Sequence, residues 1–210
     1  MVQLHLDVGA LSDGYTKPGQ CVQVKVGDSK PAYMAIASAP AAKGSEIELL
    51  VKNQGPTAEL LCSVKEGDFV DVSPVIGSGF PVDRAPPEKY PTLVVFATGT
   101  GIAPIKALIE SSALDVGRRK DVRIYYGTFN PDSTAYADLK AQWEAEGVRV
   151  INVYSGFGQG YVQDVFTKEP GVEDWAGVSA VLCGQKELAE SVTAYLSEKG
   201  VNKEAILTNW

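Results

Sequence analysis

Residues 92–104 constrain the fold more than any other stretch of the chain. Thr92-Leu93-Val94-Val95-Phe96-Ala97 is apolar without alternation, the pattern of a strand buried on both faces. It runs into Thr98-Gly99-Thr100-Gly101-Ile102-Ala103-Pro104, which reads as a tight strand-to-helix turn. Glycine lets the backbone turn sharply and approach a ligand closely. Proline fits the first turn of a helix, which has no N–H bonds to lose. The free N–H groups at that helix start favour a pyrophosphate. Gly99, Thr100, Gly101, Ile102, Ala103 and Pro104 are therefore read as a nucleotide-binding turn, the alternative for so short a glycine motif being a plain tight turn.

The segments after this turn keep the same rhythm. Strands are expected at Val122–Tyr126, Val148–Tyr154, Val178–Cys183 and Ala205–Thr208, and helices at Ile102–Glu110, Tyr136–Glu146 and Lys186–Lys199. Alternating strands and helices imply parallel βαβ units and a doubly wound sheet. Within the second helix Tyr136 and Lys140 read as an i,i+4 pair. The segments before the turn differ. Val22, Val24 and Val26 alternate with polar residues, as do Gln3–Val8, Glu46–Val51 and Phe69–Val72, with turn residues such as Lys17-Pro18-Gly19 and Glu66-Gly67-Asp68 between them. Short strands so spaced suggest an antiparallel barrel or sandwich, with a turn or two of helix at Thr57–Val64. Four prolines in residues 81–91 place the domain boundary there. The 210 residues thus divide into two small domains.

The formal charge of −7 disfavours a nucleic-acid partner bound by phosphate neutralisation. Three distant cysteines, with no CxxC spacing, argue against a disulfide framework or a zinc site, and no metal site is expected. The single histidine, His5, falls on the polar side of its alternation, so a His-based triad is excluded. No apolar run reaches the ~18 residues of a membrane span. Met1 leads straight into the first alternation, so no targeting segment is expected at this end. Val181-Leu182-Cys183-Gly184-Gln185 closes another parallel strand at the edge where such sheets bind ligands. On this motif alone, Cys183 is either beside a ligand or a structural core thiol.

Together these positions resemble the ferredoxin–NADP reductase family. Gly99–Pro104 resembles its GTGIAP turn, Cys183-Gly184 its CG motif and Tyr126-Gly127 its strand-end YG. Lys17-Pro18-Gly19-Gln20 is similar to its PGQ turn and Gly77-Ser78-Gly79-Phe80 to its GxxF closure. The resemblance implies an FAD-binding antiparallel β-barrel over residues 1–84 and an NAD(P)-binding α/β domain over residues 85–210. It assigns flavin contacts to Tyr33, Met34, Ala35, Ile36, Ala37 and Ser38, to Leu50, Val51 and Lys52, and to Pro56, Thr57 and Ala58. It assigns nicotinamide-nucleotide contacts to the glycine turn, Gly184 and Gln185, and catalytic positions to Cys183 and Trp210. The family's arginine, tyrosine and serine of the flavin strand are here Ala32, Met34 and Ala35, with Tyr33 as the neighbouring aromatic and Thr57 as the replacement hydroxyl at the diphosphate turn.

The activity so implied is hydride transfer from C4 of NADP or NAD to N5 of FAD, with electrons passing to an unidentified acceptor. The alternative is a non-catalytic nucleotide-binding or scaffold protein that retains the fold. A 2′-phosphate needs cations, and the family often carries arginine where this chain has Gly156. Arg118, Arg119, Lys120 and Arg149 are the other candidates. An electron-carrier protein is an expected partner, but ferredoxin is not favoured. Ferredoxin is acidic, as is this chain, and only Arg84 with Lys89 and Arg118-Arg119-Lys120 offer local positive charge. By family resemblance the compartment is the chloroplast stroma, and otherwise the cytosol.

Overall fold

The computed structural model describes residues 1–40 and 44–209. Trp210 therefore lies outside the described residues. The chain divides into two compact units that are not contiguous in sequence. One takes Met1–Phe80, Ala103–Ser111 and the chain end at Asn209; the other takes Pro81–Ile102 and Ser112–Thr208.

The first unit is antiparallel. Strand β1 (Val2–Asp7) pairs with β4 (Glu46–Val51) from Val2↔Val51 to Asp7↔Glu46. Strand β2 (Cys21–Lys25) pairs with β3 (Ala32–Ala35) and with the two-residue β5 (Asp71–Val72). An Ile36↔Leu49 bridge joins the two sheets. Their inward residues, among them Val22, Val24, Ile47, Leu49 and Val51, share one core with Leu61 of helix α1 (Pro56–Ser63). The PGQ turn is knitted by Gln20, whose Oε1 accepts from the Thr16 and Lys17 amides (2.8 and 2.9 Å) while its Nε2 donates to the Gly77 carbonyl (2.9 Å). Phe80 closes the same corner through its amide, which donates to the Pro18 carbonyl (2.8 Å). The strand expected at Phe69–Val72 is shorter, because Phe69 leaves the ladder and is 95% exposed. His5 is exposed as expected, with Nδ1 3.0 Å from Glu46 Oε1.

The second unit carries five parallel strands in the order β10-β9-β6-β7-β8. They are β6 (Thr92–Thr98), β7 (Asp121–Thr128), β8 (Val148–Tyr154), β9 (Val178–Cys183) and β10 (Ile206–Leu207). All six residues of β9 and the five inner residues of β6 are buried, which explains their unbroken apolar run. The chain builds β7 and β8 to one side of β6, then returns to lay β9 on the other. The carboxyl end of β6 is thus a topological switch point. Helix α5 (Lys186–Glu198) packs Leu188, Ala189, Val192 and Leu196 into the core.

Three sequence expectations change here. Helix α3 spans only Lys140–Ala145 after a 3₁₀ turn at Ala137–Leu139. Tyr136 stands before it in left-handed backbone (φ 56°), so it does not pair with Lys140 on a helix face; Lys140 pairs instead with Glu144 (3.7 Å). A helix α4 (Val162–Lys168), absent from the sequence reading, delivers Phe166 into an aromatic cluster with Phe96 and Tyr125, at 5.0 and 5.3 Å between centroids. Helix α2 (Ile102–Glu110) follows β6 as expected, yet its residues from Ala103 onward group with the first unit. Ile102 to Ile109 are all buried, including Lys106. The ammonium of Lys106 reaches Glu48 of β4 and Glu110, each at 2.9 Å.

Candidate functional site

The second unit brings Thr98, the glycine turn and Cys183-Gly184 together at the carboxyl edge of its sheet. Register does this: Ala97 lies opposite Cys183 on β9, and Thr98 opposite Gly127 on β7. A Cβ on Gly101 would stand 2.4 Å from the Cys183 carbonyl oxygen, and one on Gly184 would stand 2.2 Å from Thr98 Oγ1. Only glycine permits so close a crossing of the two turns. Gly99 adopts φ +53° with open space beyond it, so the loop presents bare backbone outward.

Two polar side chains missed as site residues complete this cradle. Thr98 Oγ1 is buried and without a hydrogen-bond partner. A buried hydroxyl left so costs on the order of 1–3 kcal/mol; Trp143, Asn152 and Ser197 carry buried polar atoms in the same condition, and of the four Thr98 is the one that stands at the glycine turn. The other is Tyr126, whose hydroxyl donates to the Gly99 carbonyl (3.0 Å) and accepts from the Ala135 amide (3.3 Å). Burial pushes its phenol up to about 12, so it stays a neutral donor that fixes the turn. The signals were local: a hydroxyl closing an apolar strand, and a tyrosine ending the next one.

Cys183 is buried, and burial pushes its thiol up to about 12. It is a neutral thiol near neutral pH, not a thiolate nucleophile. Gly184 and Gln185 lead into α5, with Gln185 at its N-cap and making no side-chain cap bond. Glycine spacing, an orphan hydroxyl and uncharged donors fit a nicotinamide nucleotide laid across the turn.

In the first unit the flavin-strand residues separate by face. Met34 lies opposite Val22 and Ala32 opposite Val24, both core valines, and Met34 packs on the core. Tyr33 takes the other face and is 68% exposed. The aromatic ring available to a flat ligand is therefore Tyr33, while Ala35 presents only a methyl beside it. Ile36 and Ala37 are fully buried, and their amides donate to the Gln20 and Glu48 carbonyls. Ser38 Oγ accepts from the Glu48 amide (3.0 Å), so these three positions build the barrel first. Val51 likewise belongs to the core, Leu50 is buried on the opposite face of β4, and Lys52 is exposed.

At the diphosphate turn the Thr57 hydroxyl donates to the Lys30 carbonyl (2.7 Å), which commits its only proton. What remains is the start of α1, where Gly55, Pro56, Thr57 and Ala58 supply no side-chain cap. An exposed ring, uncapped helix amides and Lys52 fit a flavin dinucleotide held largely through backbone. At the chain end, Asn209 Nδ2 donates to the Gly19 carbonyl (2.9 Å).

Three of the cations named for other roles are engaged elsewhere. Arg119 donates to the carbonyls of Ala85, Tyr90 and Leu114, each at 2.7 Å. Arg118 pairs with Glu88, and Arg149 with Asp121 at 3.0 Å. A cavity of about 280 Å³ lies beside Pro91, Thr92, Lys120, Asp121 and Arg123, at the amino-terminal edge of the sheet and so away from the glycine turn. Among the described residues there is no metal-ligand cluster, and no helix is long and apolar enough to cross a membrane.

Residues 95–194 match the family model of the oxidoreductase NAD-binding domain. The chain is 39% identical over 209 residues to fruit protein pKIWI502 of Actinidia deliciosa, covering 92% of this chain and 66% of that protein. It is 29% identical over 142 residues to the dihydroorotate dehydrogenase B (NAD(+)) electron transfer subunit of Bacillus velezensis, covering 58% of this chain and 54% of that one. The chain thus spans about two thirds or less of the length of these relatives. The crystal structure of a ferredoxin NADP+ reductase from Neisseria gonorrhoeae, with bound FAD and NADP, superposes with a TM-score of 0.78 at 17% identity, over 94% of this chain and 85% of that one. That likeness is one of fold. Residues 95–194 thus match an oxidoreductase NAD-binding domain, and the chain has the ferredoxin reductase-like fold, an antiparallel unit followed by a parallel α/β unit.

Proposed function

We propose that this protein is an NAD(P)H-dependent flavoprotein oxidoreductase, with FAD on the first unit and the nicotinamide nucleotide on the second. Residues 1–84 and 85–210 approximate the two roles, with the reservation that α2 groups with the first unit. The observation that carries the reading is the cradle of Thr98, Gly99, Gly101 and Gly184, with its orphan hydroxyl.

When bound, the two cofactors supply the hydride and electron chemistry themselves. The chain's part is placement. Tyr126 holds the turn through the Gly99 carbonyl. Thr98 offers its hydroxyl to the nucleotide. The neutral Cys183 presents an uncharged, polarizable wall at the end of β9 and exchanges no proton. Tyr33 is the ring contact for the flavin, and the start of α1 with Lys52 serves its diphosphate. Trp210, outside the described residues, is by the family resemblance the aromatic cover of the flavin.

Electrons then pass to a partner protein, as the name of the related electron transfer subunit suggests. Ferredoxin is not that partner in this reading. The test is steady-state reduction of an artificial acceptor dye by NADH or NADPH with FAD-reconstituted protein. Turnover that depends on both FAD and the nicotinamide supports the proposal. Absence of turnover in protein that retains its fold overturns it in favour of a nucleotide-binding scaffold.

A further inference from the structure

We propose that, with a nicotinamide nucleotide on the glycine turn as above, the second unit selects NADH against NADPH. Sheet order fixes where the nucleotide's far half goes. With β9 on one side of β6 and β7–β8 on the other, a nicotinamide near Cys183 sends the adenosine over the ends of β7 and β8. The segments leaving those strands, 128–136 and 154–161, contain no lysine, arginine or histidine, and their one charge is the carboxylate of exposed Asp132.

They carry aromatic rings instead. Phe129, Phe157 and Tyr161 are each about two-thirds exposed. Tyr154 and Phe157 meet edge to face at 6.0 Å, and the Gly156 amide donates to the Phe129 carbonyl (2.8 Å), which draws the two segments together. Flat bases stack on such rings. A 2′-phosphate, in contrast, would bring further negative charge to an edge that already holds Asp132 and offers no counter-charge.

The four cations named above for a 2′-phosphate are at the wrong end, and Lys186, which follows β9, pairs with Glu190 (3.5 Å). Arg118, Arg119 and Lys120 immediately precede β7, and Arg149 is the second residue of β8. Eight residues of strand, roughly 25 Å, separate that edge from the nucleotide edge. Nor is there room for an arginine at position 156, where a Cβ would lie 2.6 Å from the Phe129 carbonyl oxygen. Lys140, the next cation in the chain after 128–136, is paired with Glu144.

The test is binding of NAD+ and NADP+, which differ only in the 2′-phosphate, to the purified chain by calorimetry. NAD+ is expected to bind at least about tenfold more tightly, the loss expected for one charge-assisted contact not made. Ser155→Arg, at an exposed position of the 154–161 segment, is expected to narrow that gap by strengthening NADP+ binding. Equal or tighter binding of NADP+ overturns the selectivity and leaves the nucleotide site standing. A gap that Ser155→Arg leaves unchanged overturns the assignment of the selectivity to the 154–161 segment, because the ribose then lies elsewhere. Failure of both nucleotides to bind removes the nucleotide site itself.

Discussion

Thr98 separates what the fold needs from what the function needs. Its buried hydroxyl has no partner, so Thr98→Val, of nearly the same shape, removes a polar atom that costs on the order of 1 kcal/mol or more. Urea denaturation is expected to show unchanged or raised stability, while nucleotide affinity falls about tenfold. A variant that loses stability and keeps its affinity contradicts the role assigned to this hydroxyl. Gly101→Ala acts in the opposite sense: its methyl meets backbone at 2.4 Å, so it loses about 1–3 kcal/mol of stability as well as binding.

Cys183 has a pH signature. Its folded-state pKa is raised by burial, so the neutral thiol favours folding below the unfolded cysteine pKa. That contribution is lost as pH rises from about 9 towards 12. The pH profile of turnover is accordingly expected to show no Cys183 ionisation between about pH 6 and 9. Cys183→Ala slows flavin reduction in stopped-flow more than it weakens nucleotide binding, and an unchanged rate would remove Cys183 from the site. At this scale the glycines were legible, since few other residues survive such a turn. Thr98 and Tyr126 gave only weak local signals, a hydroxyl and a phenol at strand ends, and what each one faces is set by the sheet rather than by its neighbours in sequence.

At the scale of elements, the buried Lys106 joins α2 to β4 through Glu48, with both side chains under 10% exposed. Lys106→Met withdraws an ammonium from a buried carboxylate, which typically costs 3–5 kcal/mol. Glu48→Leu combined with Lys106→Met is expected to recover part of that loss in a double-mutant cycle, and additive losses would show that the pair is not coupled.

The strands at 92–98 and 178–183 were readable because burial on both faces writes itself as an unbroken apolar run. Helix α4 was not, since seven residues between glycine-rich and acidic segments carry too little periodicity. Its identity comes from Val162 and Phe166 packing on the sheet. The flavin strand shows a different limit. Alternation alone does not say which face is core, and the ladder with β2 turns Met34 inward and Tyr33 outward.

For the whole molecule, the −7 charge works against an acidic carrier, and with Arg118 and Arg119 engaged the local positive charge named for docking falls to Arg84, Lys89 and Lys120. Reduction of ferredoxin is expected to be slow beside reduction of a dye, and to show little salt dependence. Fast, salt-sensitive ferredoxin reduction would place a docking patch where none is read.

The two-unit plan itself was legible from the change of rhythm across residues 81–91. The membership of α2 was not, because a helix buried on every face gives no amphipathic clue to its neighbours. The central claim is that the two units hold a flavin and a nicotinamide nucleotide for electron transfer. It is tested most directly by the visible spectrum of the purified, FAD-supplemented chain under anaerobic conditions, before and after addition of NADH. A flavin band that stays with the protein through desalting and bleaches with NADH is the result expected. A colourless protein, or a retained band that neither NADH nor NADPH bleaches, would contradict it.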